Sequence, residues 1–467
     1  MDERIKQALI GIVGKEDYTD NLIDMIAYSK DASEFKHRPD AAVWATTTEQ
    51  ISAIVKLANK ERFPVTARGA GTSLAGLAVP QKGGIILDLG RMNKIIKISI
   101  EDRLAVVQPG VVYAALDQAL APHAFCFPPD PASGSVSTLG GNVACNAGGI
   151  KGAKYGTTKD YVLGLKVVLP DGRVVRTGSS CMKSVSGYDL TKLFVGSEGT
   201  LGIITEITLK INPRPLVTYT TMATFDDLED AGRAVSQIMY SGILPSALEI
   251  VDQQCLIAIN ENTDLNLPEV EAILVAETDG YTQEEAEYQL AKIVEIFRKN
   301  KASTVKQAST AEEAAALWTA RKSAYGVMSR INNNLFVEDL SVPMSKVPDM
   351  LKAVSDIAKK YDLKIPTVGH AGDGNLHPTI SFDGTNAEEV ERVEEAAAAI
   401  FDKVIELGGT LTGEHGVGLA KAPFMHLEHD EVAMDLMRCI KKLFDPNNIL
   451  NPGKMALEVQ DGNKTRV

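Results

Sequence analysis

The fold of the N-terminal part of the chain is indicated first by the stretch FPVTARGAGTSLAG, residues 63–76. A short apolar run, Phe63–Ala67, predicts a β-strand, and a glycine-rich loop, Arg68–Gly76, follows it directly. Such a loop exposes backbone N–H groups that can bind a pyrophosphate. It is not the dinucleotide fingerprint GxGxxG, because Leu74 stands where the third glycine would be and no clear acidic ribose ligand follows.

Helices and short strands alternate around this loop. Residues 48–61 predict a helix with Thr48 as its N-cap. Further strands are predicted at residues 84–89, 105–107, 162–169 and 203–211. Beyond Asn212–Pro215 a second α+β part is predicted, in which residues 386–407 form an amphipathic helix that ends at Gly408.

Two more small-residue segments lie in the N-terminal part. They are STLGGNVACNAGG, residues 137–149, and GSEGTLGII, residues 196–204. Small residues let the backbone approach a ligand closely. Three such segments exceed what turns alone require, so they predict the binding surface of a large, flat, phosphorylated ligand.

A candidate metal site is indicated by IPTVGHAGDGNLHPTISF, residues 365–382. Asp373–Gly374 is a two-residue hairpin signal, and a loop of those two residues would place His370 directly opposite His377, with Cβ atoms about 5 Å apart. Two imidazoles and the carboxylate of Glu414 would suit a divalent metal with open positions. Ordinary turn chemistry and a chance histidine pair are the alternative. Three of the seven histidines lie either in this segment or in the glycine-rich segment 413–416 that contains Glu414. This concentration favours a functional site.

Charge and cysteine content exclude several classes of protein. The net charge of −13, without a basic run, argues against binding nucleic acid or an anionic membrane surface. No apolar run approaches the ~18 residues of a membrane span, and the charged N-terminus lacks a secretory signal, so a cytoplasmic protein is predicted. The five cysteines form no CxxC pair, which indicates reduced thiols and argues against an iron–sulfur cluster.

Taken together, these segments resemble a known family. The resemblance rests on PVTARGAGTSLAG, PPDP, STLGGNVACNAGG, KYGTTKDYV, VGSEGTLGIITEITLK, HAGDGNLH, GEHGVG and NILNPGK, in this order. The chain resembles the FAD-linked 2-hydroxyacid dehydrogenases of the vanillyl-alcohol oxidase/p-cresol methylhydroxylase superfamily, in particular D-lactate dehydrogenases and the D-type subunit of glycolate oxidase. HAGDGNLH and GEHG are typical of its metal-containing branch.

The resemblance implies an α+β fold: a two-part FAD-binding domain of the p-cresol methylhydroxylase type with an α+β substrate (cap) domain. The FAD-binding domain would span residues 1–216 and the substrate domain, with the metal site, residues 217–440. Residues 441–467 would return to the FAD-binding domain.

The resemblance also implies which residues contact FAD. The expected set is Arg68, Gly69, Ala70, Gly71, Thr72, Ser73, Pro129, Asp130, Thr138, Gly140, Gly141, Asn142, Ala144, Asn146, Gly148, Gly149, Glu198, Gly199, Gly202, Ile203, Ile204 and Asn451. Many superfamily members tether the flavin through a histidine in the first glycine loop. Thr72 stands at that position here, so non-covalent FAD is expected.

In the family, the two histidines and the glutamate bind a divalent metal (Zn, Fe or Mn), the next histidine is the base, and an arginine binds the substrate carboxylate. The corresponding residues here are His370, His377, Glu414, His415 and Arg321. The alternative for Arg321 is a helix-surface arginine, since its segment is helical and charged. No second cation for a dicarboxylate is evident, so the resemblance implies oxidation of a short D-2-hydroxyacid, D-lactate or glycolate.

The reduced flavin would need an electron acceptor, and the chain offers neither cluster-binding cysteines nor a dinucleotide fingerprint. A separate partner is therefore expected: an electron-transfer flavoprotein, an iron–sulfur subunit or a quinone-linked protein. The alternatives are a non-catalytic FAD subunit that only relays electrons, a 2-hydroxyglutarate-type dehydrogenase, a metallohydrolase, a sugar-oxidising relative and an enolpyruvyl reductase.

Overall fold

The structure is a computed structural model that describes residues 1–458. Its helices are α1 Glu3–Val13, α2 Leu22–Ala27, α3 Thr48–Glu61, α4 Tyr113–Leu120, α5 Leu139–Cys145, α6 Gly152–Tyr155, α7 Leu190–Phe194, α8 Leu228–Tyr240, α9 Gln253–Asn262, α10 Gln283–Lys299, α11 Ala311–Leu317, α12 Thr319–Met328, α13 Val347–Lys360, α14 Ala387–Glu406, α15 Met425–Glu428 and α16 Glu431–Phe444. Its strands are β1 Tyr18–Thr19, β2 Ala41–Trp44, β3 Val65–Arg68, β4 Ile85–Asp88, β5 Ile95–Ser99, β6 Leu104–Val107, β7 Phe125–Cys126, β8 Val162–Val168, β9 Val174–Gly178, β10 Ile203–Lys210, β11 Asn212–Pro213, β12 Val217–Phe225, β13 Ala247–Asp252, β14 Ala272–Gly280, β15 Thr304–Gln307, β16 Asn334–Val337, β17 Leu340–Ser341, β18 Thr367–His370 and β19 Asn375–Phe382.

The chain forms two compact units. Among the described residues, the first unit contains 1–148, 157–214 and 414–458, and the second contains 149–156 and 215–413. The division based on sequence assigned residues 414–440 to the substrate domain, whereas here they belong to the first unit. The side chains of Cys145 and Glu198 bind the backbone of this segment, and Ile440 and Phe444 of α16 pack in a core of that unit.

The first unit contains two larger sheets. One has the order β1-β2-β4-β3, in which β4 pairs in parallel with both β2 and β3; the other is antiparallel, with the order β5-β6-β10-β8-β9. Helix α3 covers the first sheet because Ile51, Ile54 and Val55 fall on one helical face and are fully buried. Burying each such side chain stabilises the unit by about 1.5–3 kcal/mol.

The end of the described chain joins the edge of the first sheet at β3. The N–H of Val65 donates to the carbonyl of Ile449 (2.7 Å), and the N–H of Asn451 donates to the carbonyl of Val65 (2.9 Å). The backbone of residues 449–451 therefore extends the first sheet beyond its edge strand β3.

The second unit is built on one antiparallel sheet with the order β15-β12-β14-β13-β18-β19-β16, and β17 also pairs with β19. Helices α8, α10, α13 and α14 cover one face, and α9 and α12 cover the other. Strand residues alternate between the faces. Leu248 and Ile250 point to the first face, so Glu249 points to the face covered by α12.

Two local predictions require correction. Helix α3 is capped by Thr47, whose extended backbone lets Oγ1 accept the N–H of Gln50 (3.2 Å), and Thr48 is the first helical residue. The predicted two-residue hairpin is wrong, because β18 and β19 are joined by a four-residue loop, 371–374.

The register of this hairpin differs accordingly. His370 pairs with Asn375, and His377 pairs with Val368. The loop is longer because its backbone binds elsewhere: Gly372 donates to the carbonyl of Leu248 (3.1 Å), and the carbonyl of Gly374 accepts the N–H of Val342 (3.0 Å). The shift is two residues, so both histidines remain on the same face as diagonal neighbours.

Within residues 1–458, the structure contains no helix that is both long and apolar enough to cross a membrane.

Candidate active site

In the second unit, a buried carboxylate joins two of the predicted site residues. Glu249 lies in β13 directly opposite His370 of β18 and is fully buried. Its Oε1 lies 2.6 Å from Nδ1 of His370, and its Oε2 accepts the Nε–H of Arg321 on α12 (2.6 Å). Arg321 is not a helix-surface arginine, because its side chain is only 16% exposed.

The two histidines of this unit are close enough to share an ion. His370 and His377 are both buried, their ring centroids are 5.2 Å apart, and a ring nitrogen of one lies within 4.8 Å of a ring nitrogen of the other. Nδ1 of His377 lies 3.3 Å from the carbonyl oxygen of Glu338. A histidine that donates through Nδ1 to a carboxylate or carbonyl presents Nε2 as its ligand atom, so both rings suit metal binding.

Asp339 fixes the end of this unit. It is fully buried; its Oδ1 accepts from Nδ2 of Asn375 (2.7 Å), and its Oδ2 accepts from Oγ1 of Thr412 (2.6 Å). The N–H of Gly413 donates to its carbonyl (3.1 Å). Asp339 therefore binds Thr412 and Gly413, the two residues immediately before Glu414.

In the first unit, the structure brings the three glycine-rich segments together. The second and third meet through backbone bonds from Gly196 to Val143 (3.0 Å) and from Glu198 to Ala144 (2.8 Å). Nδ2 of Asn451 donates to the carbonyls of Leu77 (3.0 Å), just beyond the first segment, and of Glu198 (2.7 Å), in the third. The segments that the sequence analysis associated with one ligand thus share one region.

The carboxylate of Glu198 holds the segment that follows His415. Its two oxygens accept the N–H groups of Val417 (2.6 Å) and Gly418 (2.9 Å). Burial raises the pKa of Glu198 from its ordinary value of 4.5 to about 7, and those two N–H groups with Lys454 and Lys421 oppose the rise. Glu198, which was expected to contact FAD, thus directs its side chain to the protein.

Glu414 and His415 lie in this same segment. Nε2 of His415 is 3.7 Å from Oε1 of Glu414, and both side chains are largely buried. Sγ of Cys145 donates to the carbonyl of Glu414 (3.2 Å). A Cβ atom on Gly148 would stand 2.9 Å from Oε2 and 3.2 Å from Cβ of Glu414, so the two segments approach each other closely here.

Several other residues of the expected FAD set serve the fold as well. Nη1 of Arg68 donates to the carbonyl of Lys30 (2.8 Å), and burial lowers the pKa of Arg68. Thr138 caps α5, and Oδ1 of Asn146 accepts from Oγ1 of Thr157 (3.0 Å). Ile203 and Ile204 begin β10 and are buried. All of these residues remain predicted contacts of FAD.

The first unit fits a polar cofactor. Within residues 1–458, buried side-chain atoms without a hydrogen-bond partner include Oγ of Ser137, Nδ2 of Asn142 and Oδ1 of Asn451. Ser137 and Asn142 lie in the second glycine-rich segment, and Asn451 hydrogen-bonds to Leu77 and Glu198, next to the first segment and in the third. Leaving a buried donor or acceptor unpaired costs about 1–3 kcal/mol, so a ligand with polar atoms is expected beside them.

The chain shares its fold with two solved structures. The chain aligns with p-cresol methylhydroxylase with bound substrate at a TM-score of 0.82 and 21% identity, covering 97% of this chain and 96% of that one. It also aligns with 4-ethylphenol oxidase from Gulosibacter chungangensis at a TM-score of 0.77 and 19% identity, covering 97% and 96%. The predicted α+β fold of the p-cresol methylhydroxylase type is confirmed.

Sequence comparison narrows the class. Residues 39–178 match the FAD binding domain, and residues 214–455 match the C-terminal domain of FAD linked oxidases. The chain is 45% identical to glycolate oxidase subunit GlcD of Bacillus subtilis (97% of this chain, 96% of that protein) and 36% identical to D-lactate dehydrogenase of Anaerostipes hadrus (97% and 95%). The chain belongs to the FAD-linked oxidase family, and the predictions of FAD and of an oxidoreductase are confirmed.

Sequence reasoning missed Glu249 and gave Asp339 no role. A signal existed for each: Glu249 interrupts the otherwise apolar run ALEIV, residues 247–251, and Asp339 stands beside a second carboxylate in a strand-rich segment. Carboxylates are rarely fully buried without a partner, so such positions indicate an ion pair or a hydrogen-bond network.

Proposed function

We propose that this protein oxidises a short D-2-hydroxyacid, D-lactate or glycolate, to the 2-oxoacid, using non-covalently bound FAD and one divalent metal. The observation that carries the proposal is the buried arrangement in which Glu249 holds Arg321 beside the His370/His377 pair. The names of its relatives, glycolate oxidase subunit GlcD and D-lactate dehydrogenase, support this substrate class.

Arg321 binds the substrate carboxylate in this proposal. Its Nε is taken by Glu249, which leaves the two Nη groups as a planar fork for a bidentate pair with a carboxylate. The nearby Tyr325, one turn along α12, is half exposed and carries no positive charge. A monocarboxylate therefore suits the arrangement better than a dicarboxylate such as 2-hydroxyglutarate.

His370, His377 and Glu414 would hold the metal, which supplies a Lewis acid that lowers the pKa of a substrate hydroxyl. The two imidazoles are fixed in orientation by Glu249 and by the carbonyl of Glu338. Asp339 supports the third ligand by anchoring Thr412 and Gly413, the residues before Glu414. Two histidines and one carboxylate suit zinc, iron or manganese.

His415 would accept the hydroxyl proton. Oxidation removes this proton and a hydride from C2, and FAD supplies the two-electron acceptor. The bonds from Glu198 to Val417 and Gly418 keep the backbone beside His415 in place, so that the imidazole does not have to be ordered during turnover.

The FAD would be bound without a covalent bond, because Thr72 replaces the tethering histidine. We further propose that the enzyme acts in the cytoplasm and passes electrons to a separate flavoprotein, iron–sulfur or quinone-linked partner. An enzyme of this kind, rather than a relay subunit, requires Arg321 and His415.

The test is anaerobic mixing of the purified protein with D-lactate, glycolate, L-lactate or D-2-hydroxyglutarate while the flavin absorbance is followed. Metal content is measured on the same preparation. We expect bleaching by D-lactate or glycolate, slower bleaching by the other two acids, and about one divalent metal per chain. A flavin that no 2-hydroxyacid reduces would refute the proposal, and preference for D-2-hydroxyglutarate would move it to a dicarboxylate.

A further inference from the structure

The carboxylate of Glu249 accepts from two groups to which the proposed function gives different tasks. Oε2 is 2.6 Å from Nε of Arg321, and Oε1 is 2.6 Å from Nδ1 of His370. Glu249 is fully buried, and the side chains of Arg321 and His370 are 16% and 6% exposed. One carboxylate thus lies between the substrate-binding cation and a metal ligand.

We infer that Glu249 is a positioning residue that couples the two parts of the site, so that metal affinity depends on the state of Arg321. This inference rests on the proposed function. Glu249 would touch neither substrate nor metal. It would act by orienting the guanidinium fork and by keeping the proton of His370 on Nδ1.

The environment makes this coupling strong. Glu249 shares its sheet face with Ala247, Val251 and Val368, and the apolar side chains of α9 and α12 cover that face. Hydrogen bonds to a charged group are stronger in such surroundings than in water. A change at Arg321 is therefore passed to the carboxylate rather than absorbed by solvent.

The chemistry requires a carboxylate. A glutamate offers two acceptor oxygens, one for each neighbour, whereas a glutamine offers one acceptor and one donor. A glutamine at position 249 could accept from His370 only by directing its NH₂ group at the Nε–H of Arg321. The opposite flip would satisfy Arg321 but would require His370 to place its proton on Nε2, the proposed ligand atom.

The first experiment compares Glu249→Gln with wild type and with Glu271→Gln as the control. Glu271 accepts from Nε2 of Gln253 (2.9 Å) beside β14, so the control also neutralises a carboxylate of the second unit. Metal-depleted protein is titrated with Zn²⁺ or Mn²⁺, and kcat and KM for D-lactate are measured on the metal-loaded form. FAD content and melting temperature report on folding.

We expect Glu249→Gln to weaken metal binding about 10–100-fold, the usual effect of losing such an outer hydrogen bond, and to raise KM. Glu271→Gln should change neither. Glu249→Asp keeps two acceptors on a shorter arm and should show smaller losses of the same kind. If Glu249→Gln loses FAD or has a lower melting temperature than wild type, Glu249→Asp provides the test.

A double-mutant cycle tests the coupling itself. Arg321→Lys should weaken Zn²⁺ or Mn²⁺ binding several-fold in the wild-type background, although Arg321 is not a metal ligand, and should have little further effect beside Glu249→Gln. Equal effects in both backgrounds, or metal affinity and KM within twofold of wild type in Glu249→Gln, would overturn the inference. Wild-type protein that binds neither metal ion, or that oxidises no 2-hydroxyacid, would instead refute the proposed function.

Discussion

The buried carboxylate of Glu198 should make the stability of the first unit depend on pH. Burial holds its pKa at about 7 in the folded protein, above the ordinary value of 4.5. The folded state therefore binds the proton more tightly than the unfolded state. The stabilisation from this proton is complete below pH 4.5 and is lost as the pH rises to about 7.

The size of the effect follows from the two pKa values. The difference between 4.5 and about 7 corresponds to about 3 kcal/mol. A unit of this size shifts its melting temperature by roughly 2–4 °C per kcal/mol, so this one group contributes on the order of 10 °C. Glu198→Gln removes the titration and exchanges one acceptor for a donor, which lowers stability most at low pH.

The assay is thermal release of FAD, followed by flavin fluorescence from pH 4.5 to 8 in wild type and Glu198→Gln. All other titrating groups are common to both proteins, so the difference between the two melting curves isolates Glu198. We expect the wild-type advantage to shrink as the pH rises through the window from 4.5 to about 7. A difference that is constant across this range, or that grows with pH, would refute the reasoning.

Four further predictions concern catalysis. His377→Ala should lose bound metal and most turnover while retaining FAD, and full activity of this variant without metal would contradict the metal site. His415→Asn should slow flavin reduction about 10²–10⁴-fold at nearly normal metal content; loss of metal would make His415 a ligand instead. Arg321→Lys should impair the use of 2-hydroxyacids although the charge is kept, and unchanged kinetics would place the carboxylate site elsewhere. With D-lactate or glycolate, the isolated chain should reduce artificial dyes quickly and NAD poorly; rapid NAD reduction without an added carrier would show that no partner is needed, and fast oxygen uptake would indicate an oxidase.

Local signals predicted local structure well. The periodic apolar residues of α3 and α14 gave helices that differ from the observed ones by at most one residue at either end. The Asp373–Gly374 turn failed because Leu248 and Val342, distant in sequence, bind the backbone of the loop. Because the register is shifted by two residues, both histidines stay on one face of the sheet. They therefore lie near each other as predicted, although the predicted register is wrong.

The site was predicted less completely than the fold. The histidine pair could be found from sequence because its members are seven residues apart on one hairpin. The partners of Glu249 could not, because β13, β18 and α12 meet only in the folded sheet. Glycine-rich segments indicated a ligand, yet the sequence could not show that Glu198 turns its carboxylate toward Val417 and Gly418.

The pairing of Val65 with Ile449 and Asn451 has a consequence for biosynthesis. Strand β3, which leads into the first glycine loop, pairs with residues about 385 positions later in the chain. At a synthesis rate of about 5–20 residues per second, the nascent protein waits roughly 20–80 s between making β3 and making its neighbour. During this interval residues 215–413, which make up most of the second unit, are synthesised as one continuous stretch. The first unit is therefore completed after the second has been synthesised, and the sheet edge at β3 stays unpaired until the residues near 450 have been made.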